Sequence, residues 1–406
     1  MALLAGGQTV PGSTASASRE RSTVDAAFTR ESYFPGALAR LAVIDTARSL
    51  SVQVFRAGLE GTKITARDVM GGKPVTPVRS LGAVRGRRLV TLRIGNWPSG
   101  LYFARLEAPG GRMGHAPFVL RPRRLGQSPV AVILPTQTWQ AYNFRDDDHD
   151  GRGDTWYVGG RTALLGRPFS TTGGVPPHYK FYDMPFLRWL ARSGQAADYL
   201  SDADLHAADG DQLARAYRLL VFPGHHEYVT GREYDAVTRF RDLGGNLIFL
   251  SAGNFLWKIE RRGRLMIRVA KWRDLGRPEA SLIGVQYFQS DKGERRGAWV
   301  VRTPLPWLVA DTGLAKGARF GTGGIEADRL HSSSPRGVKI IAEIPNLYGR
   351  WKTPQMTYYE TRRGAKVFAA GASRWPDRSG DRMSFRSSRT CGRSSRPNSG
   401  AGRDVD

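Results

Sequence analysis

Apolar and polar positions follow two different rhythms along the chain. Between residues 33 and 122 the apolar runs are short and rich in β-formers: 41–44, 50–55, 89–94 and 101–106. Clusters such as Met70-Gly71-Gly72, Pro98-Ser99-Gly100 and Pro109-Gly110-Gly111 separate them. Glycine takes the positive φ that tight turns need and proline removes a ladder donor, so runs bounded this way predict short strands. Several at this spacing predict an immunoglobulin-like β-sandwich over 31–124. Pro122-Arg123-Arg124 reads as its linker.

After Ser128 strands alternate with helices. Residues 130–134 are a continuous apolar run, as in a strand buried on both faces. Residues 185–193 have helical spacing and stop at Gly194, and 234–243 form an amphipathic helix ending at Gly244-Gly245. Runs 219–222, 247–250 and 366–370 are further buried strands. The expected fold is therefore α/β, a mostly parallel sheet with helices on both faces over 125–375. Ligands of such sheets bind outside the carboxyl ends of the strands, which makes the residues just after each strand the candidates for chemistry.

The ends differ from this body. Residues 1–30 read as a leader without structure; Ala15-Ser16-Ala17 looks like a signal-peptidase site, but the basic stretch and full apolar core are missing. The choice between a truncated signal peptide and a plain leader stays open, and with it secreted against cytoplasmic location. From 376 to 406 Ser, Arg and Gly dominate, and a disordered or out-of-frame tail is expected. Cys391, the only cysteine, lies there, so internal disulfides and cysteine-held zinc are excluded. Net charge is +25, but the arginines are scattered between apolar strands and no nucleic-acid motif accompanies them. The charge reads as solvated surface, with no specific nucleic acid as partner. No run is long enough for a membrane span.

Three strand ends carry chemistry. The first leads into Pro135-Thr136-Gln137-Thr138-Trp139-Gln140-Ala141-Tyr142-Asn143, the second into Pro223-Gly224-His225-His226-Glu227-Tyr228, the third into Ser251-Ala252-Gly253-Asn254. His225 and Glu227 are two apart, so an extended segment puts both on one face, as metal ligands or as a base with its orienting group. A buried, satisfied histidine is the plainer alternative. Asp146, Asp148 and Asp150 before Gly151, with Asp154 beyond, match the first half of a calcium loop. Tyr157 stands where that loop needs a bidentate glutamate, so a solvated acidic loop is the competing reading. Glu360, before the last strand, is either a site carboxylate or a surface residue. No Gly-x-Ser-x-Gly elbow, P-loop or Gly-x-Gly-x-x-Gly follows a strand.

Taken together, the Trp139-Gln140-Ala141-Tyr142-Asn143 and Gly224-His225-His226-Glu227-Tyr228 segments, Gly244-Gly245-Asn246-Leu247 and the Gly364-Ala365-Lys366-Val367-Phe368 strand resemble the N,N-dimethylformamidase large (beta) subunit-like family, in its C-terminal domain. The resemblance covers roughly 128–375. It implies a flavodoxin-like, glutamine-amidotransferase-like fold without the cysteine nucleophile. It also implies hydrolysis of a small formamide by a mononuclear iron held by two tyrosines and a glutamate. Carried over, Tyr142 and Glu227 are metal ligands, and His225 beside them, Glu360 and Asn254 are catalytic candidates. For the second tyrosine Tyr182 and Tyr157 are both candidates. Phe169 stands where an Arg-Pro-Tyr is expected, and Gly253 where the family tends to have asparagine. Ferric iron is a hard acid, and phenolate and carboxylate are hard ligands.

Two functions follow. One is an iron-dependent hydrolase of an amide C–N bond, working with a small partner subunit or as a homo-oligomer. The other is a secreted, non-catalytic protein binding an envelope or glycan ligand through a degenerate α/β domain. Metal content and the need for His225 and Glu227 separate them.

Overall fold

A computed structural model describes residues 23–58, 70–291 and 295–373. Most of the leader and the whole 376–406 tail, with Cys391, lie outside the described residues. The leader nevertheless ends earlier than expected. Asp25–Phe28 is a strand, buried throughout and paired antiparallel with Leu38–Asp45. Four residues carry too little periodicity to read, and it is tertiary contact that orders them: the Asp25 carboxylate receives Arg145 at 3.0 Å.

The first layer pair is a two-sheet sandwich. One sheet joins Asp25–Phe28, Leu38–Asp45 and Gly86–Arg93. The other is built on Leu50–Ala57, Gly100–Ala108 and Arg112–Leu120. Side chains alternate along a strand, so Leu41 and Val43 meet Val52, Val54, Tyr102 and Phe118 between the sheets. The Tyr102 hydroxyl donates to the Pro98 carbonyl (2.7 Å), tying the strand to the turn before it.

The second unit is a nine-stranded mixed sheet. Its parallel half runs Asp198–Ser201, Val130–Leu134, Leu219–Phe222, Asn246–Phe249, Lys366–Ala369. Gln355–Glu360, Lys339–Glu343, Arg296–Val301 and Arg319–Gly324 continue it antiparallel. The strand order reverses direction beside Val130–Leu134: its chain successor lies on one side and Leu219–Phe222 on the other. Such a reversal opens a crevice at the carboxyl ends. Ala131 and Ile133 face the helices Gly210–Ala216 and Gly231–Asp242, through Leu213, Val237 and Phe240. Val132 and Leu134 face the opposite layer, Met184–Ser193, through Phe186, Leu187 and Leu190. Helix Gly231–Asp242 starts where Thr230 accepts from the Glu233 N–H while the Glu233 carboxylate takes the Thr230 N–H, satisfying two orphan donors. Among the described residues no helix is long and apolar enough to cross a membrane.

The two units share a core. Phe55, Leu101, Phe103 and Val119 of the sandwich pack with Val132, Leu187 and Leu190. His115 locks the seam. It is fully buried, and its Nδ1–H donates to the Gly173 carbonyl at 2.6 Å. Burial pushes its pKa down from 6.5 to about 4. The unfolded chain therefore takes up a proton near pH 6.5 that the folded chain refuses until about 4. Stability contributed by neutral His115 is full above 6.5 and falls through that window by about 1.4 kcal/mol per pH unit. We expect the stability of the wild type relative to His115→Gln to drop by on the order of 3 kcal/mol between pH 7 and 4. Urea melts at both pH values check this; a pH-independent difference refutes it.

Candidate functional site

Three loops at the carboxyl ends build one site. Val130–Leu134 feeds the short helix Thr136–Ala141, and Tyr142 caps it, its N–H bonded to the Thr138 carbonyl at 3.0 Å. Leu219–Phe222 leads through Pro223 to Gly224, where a Cβ would collide with Asp183 Oδ1; only glycine lets the chain pass there. The next residues carry His225 and Glu227 into the crevice. After Asn246–Phe249, Gly253 adopts φ +66°, and a Cβ on it would stand 2.5 Å from Glu326 Oε2 and 2.8 Å from His225 Cε1. The missing side chain thus makes the room in which Glu326 meets His225.

The centre is a phenol–carboxylate–imidazole cluster. The Tyr142 hydroxyl donates to Glu227 Oε2 at 2.7 Å, and the Tyr157 hydroxyl donates to the same oxygen at 3.2 Å while touching the Tyr228 hydroxyl. His225 Nδ1–H donates to the Ala252 carbonyl (2.8 Å), which turns Nε2 toward Glu227 Oε2 (3.3 Å) and Glu326 Oε2 (3.4 Å). Burial by itself depresses the pKa of His225, but the Glu326 and Glu227 carboxylates outweigh it and hold it at about 9. Burial lifts Glu326 to about 7, with His225 pulling it down and Glu227 pushing it up. Burial, then the Glu227 charge, pushes the Tyr142 phenol well above its usual pKa, and Tyr157 moves the same way for the same reasons. Two phenol protons therefore crowd one carboxylate oxygen. A hard cation in their place would turn three competing acids into three oxygen ligands, so this donor set fits a ferric ion.

The two-residue spacing of His225 and Glu227 does bring them onto one side. Tyr182 lies beside them, its ring 5.8 Å from that of His225, but the second hydroxyl on Glu227 is that of Tyr157. One expectation needs correction. Glu360 is exposed and accepts from the Tyr358 hydroxyl. It pairs with Lys366, the first residue of its neighbouring strand, which places it at the opposite end of the sheet from the site. The reason is direction: Gln355–Glu360 runs antiparallel, so its carboxyl end points away. Asn254 is buried and structural in its contacts; its Oδ1 accepts the His226 N–H (3.0 Å) and its amide donates to the Ser251 carbonyl (2.8 Å), clamping two site loops together. Phe169 packs in the core with Trp139 and Val175. In the acidic loop the carboxylates of Asp146, Asp148 and Asp154 gather. The Asp150 carboxylate instead accepts the Arg152 N–H.

Glu326 escaped sequence reading. It opens the strand Glu326–Arg329, paired with Gln286–Ser290 in a small separate sheet, and no motif surrounds it. In the folded backbone Ile325 just before it sits at φ +68°, strained for a β-branched residue and of the kind that clusters at functional sites.

A sandwich joined to an open α/β sheet, with oxygen donors, an imidazole and a spare carboxylate gathered at the strand reversal, makes this an α/β protein with a candidate site. The family described as N,N-dimethylformamidase beta subunit-like, C-terminal, matches residues 87–378, and the chain belongs to it. The N,N-dimethylformamidase beta subunit of an Alcaligenes species is 24% identical over 236 residues, a match covering 49% of this chain and 31% of that subunit. Among solved structures, a ThuA-like protein from Bacteroides uniformis aligns over 51% of this chain and 80% of its own with 9% identity and a TM-score of 0.35. The sulfur carrier protein SoxY from Chlorobium limicola aligns over 25% and 76%, with 13% identity and a TM-score of 0.14. Likenesses that slight decide nothing about the fold.

Gly253→Ala tests the cradle. The added carbon is expected to drive Glu326 off His225, so in metal-free protein the His225 pKa falls from about 9. The sign follows because losing a nearby anion favours neutral imidazole. Proton NMR of the imidazole reads it, and an unmoved titration refutes it.

Proposed function

We propose that this chain hydrolyses the C–N bond of a small amide at an iron ion held by Tyr142, Glu227 and a second tyrosine. The observation carrying this reading is the convergence of two phenols on one buried carboxylate beside His225 and Glu326. Tyr157 is the second ligand on the strength of its hydroxyl position; Tyr182 packs against His225. Iron so held supplies Lewis-acid polarisation of the amide carbonyl and lowers the pKa of water.

The protein's own residues do the rest. His225 is held in place because its Nδ1–H donates to the Ala252 carbonyl, which leaves Nε2 facing the reacting centre. Glu326, poised at about 7, is tuned to take a proton from the attacking water and return it to the departing amine. Asn254 positions the His225–Glu227 backbone. The named relative is one subunit of an enzyme. We propose a partner subunit or a second copy for this chain too.

Purified protein is expected to contain near-stoichiometric iron with a visible tyrosinate-to-iron band. Tyr142→Phe and Glu227→Ala are expected to lose iron and colour together, and Tyr157→Phe to weaken and shift the band where Tyr182→Phe leaves it unchanged. Glu326→Gln should bind iron yet lose at least about 100-fold in kcat on a small formamide, whereas Glu360→Gln changes nothing. Wild type that takes up no iron on reconstitution sinks the proposal and leaves the non-catalytic binding protein as the reading.

A further inference from the structure

The charge of the sandwich is unevenly spread. Between Met70 and Gly100 the chain has six cationic residues and no acidic one, so no neighbour of opposite sign along the chain pairs with them. The strand Gly86–Arg93 is the edge of the three-stranded sheet. Its Val90 and Leu92 point into the core, as do Leu41 and Val43 of the neighbouring Leu38–Asp45. Alternation then turns Arg87, Leu89, Thr91 and Arg93 outward, beside Leu38 and Arg40. The register sets Arg93 opposite Leu38 and Thr91 opposite Arg40. All of these are exposed, and no ion pair among the described residues engages Arg40, Arg87 or Arg93. Arg79 joins them at the edge, its Nη1–H donating to the Thr91 carbonyl at 3.2 Å. Apolar side chains stand among these cations: Leu38 is 60% exposed, Leu89 42%, and Val78, next to Arg79, 63%.

We infer that this face of the sandwich docks on an anionic lipid bilayer, with its arginines on the headgroup phosphates and its leucines in the interface. The inference stands apart from the amide-hydrolase reading. A guanidinium meets phosphate through paired N–H donors, whatever molecule carries the phosphate. What favours a bilayer is the rest of the face. A sheet presents no helix to enter a duplex groove, and the outward residues of these two strands include no aromatic ring on which a base could stack. Arginines along an edge also stop another strand from pairing there, but that role has no use for exposed leucines between them. Apolar side chains among cations suit a boundary between water and hydrocarbon, where the apolar group enters and the charge stays at the headgroups.

The experiment sediments the full chain with vesicles of phosphatidylcholine, alone or mixed with phosphatidylglycerol. Binding is expected on the mixed vesicles only, weakening as salt is raised. Arg40→Gln, Arg87→Gln and Arg93→Gln together should weaken it about a hundredfold, at about fivefold for each arginine. Arg215→Gln, Arg218→Gln and Arg362→Gln remove the same charge from exposed positions of the other unit, and should change it less than about threefold. Leu38→Ser with Leu89→Ser should weaken vesicle binding at least about tenfold and leave any binding of a DNA duplex unchanged. Every substitution lies at an exposed position, where a change costs little stability. No binding to the mixed vesicles, equal binding to both kinds, or equal loss in the two arginine triples overturns the inference. So does a leucine pair that leaves vesicle binding intact, which would make the face a general polyanion surface.

Discussion

The parallel pairing of Val130–Leu134 with Leu219–Phe222 is the constraint on which the site depends. Both strands are buried on two faces, so neither can slip by a residue without moving its entire apolar set to the wrong layer. That register fixes where each strand ends, and therefore how far Tyr142 and Glu227 stand apart. The reversal of strand order leaves no helix between the two ends, and the crevice so formed holds the phenol, carboxylate and imidazole together.

Gathering acids in a buried place is costly, and the surroundings show how the cost is met. Glu227 accepts from two phenols and from His225; Glu326 faces His225 and is lifted by burial to about 7. Gly224 and Gly253 allow this closeness because their Cβ positions are taken by Asp183 and Glu326. A second polar layer supports the first helix from beneath: the Asp202 carboxylate accepts the Gln137 N–H at 2.7 Å, and Gln137 donates to Glu233 at 2.9 Å. Each partner is itself buried, so the polar groups lean on one another rather than on water.

The sandwich contributes position. Its aromatic side chains complete the core on one face of the sheet, and the His115–Gly173 bond ties it to the loop after Phe169.

Continuous apolar runs revealed the parallel strands, because burial on both faces leaves that mark whatever the neighbours are; 130–134 and 219–222 match the observed strands residue for residue. Glycine after a strand, and the two-residue spacing of His225 and Glu227, made one half of the site legible, since both are local properties of backbone and pleat. The other half was invisible locally. Glu326 reaches the centre from a small sheet far along the chain, and Tyr157 reaches it by folding back over Tyr228. Glu360 looked eligible by type and was excluded by strand direction, which no local pattern encodes. The sequence by itself determined which segments are the buried parallel strands at 130–134 and 219–222, that glycine follows the second of them, and which of their ends carry donors. Only tertiary structure decided which carboxylate faces His225, because that depends on packing between segments far apart along the chain.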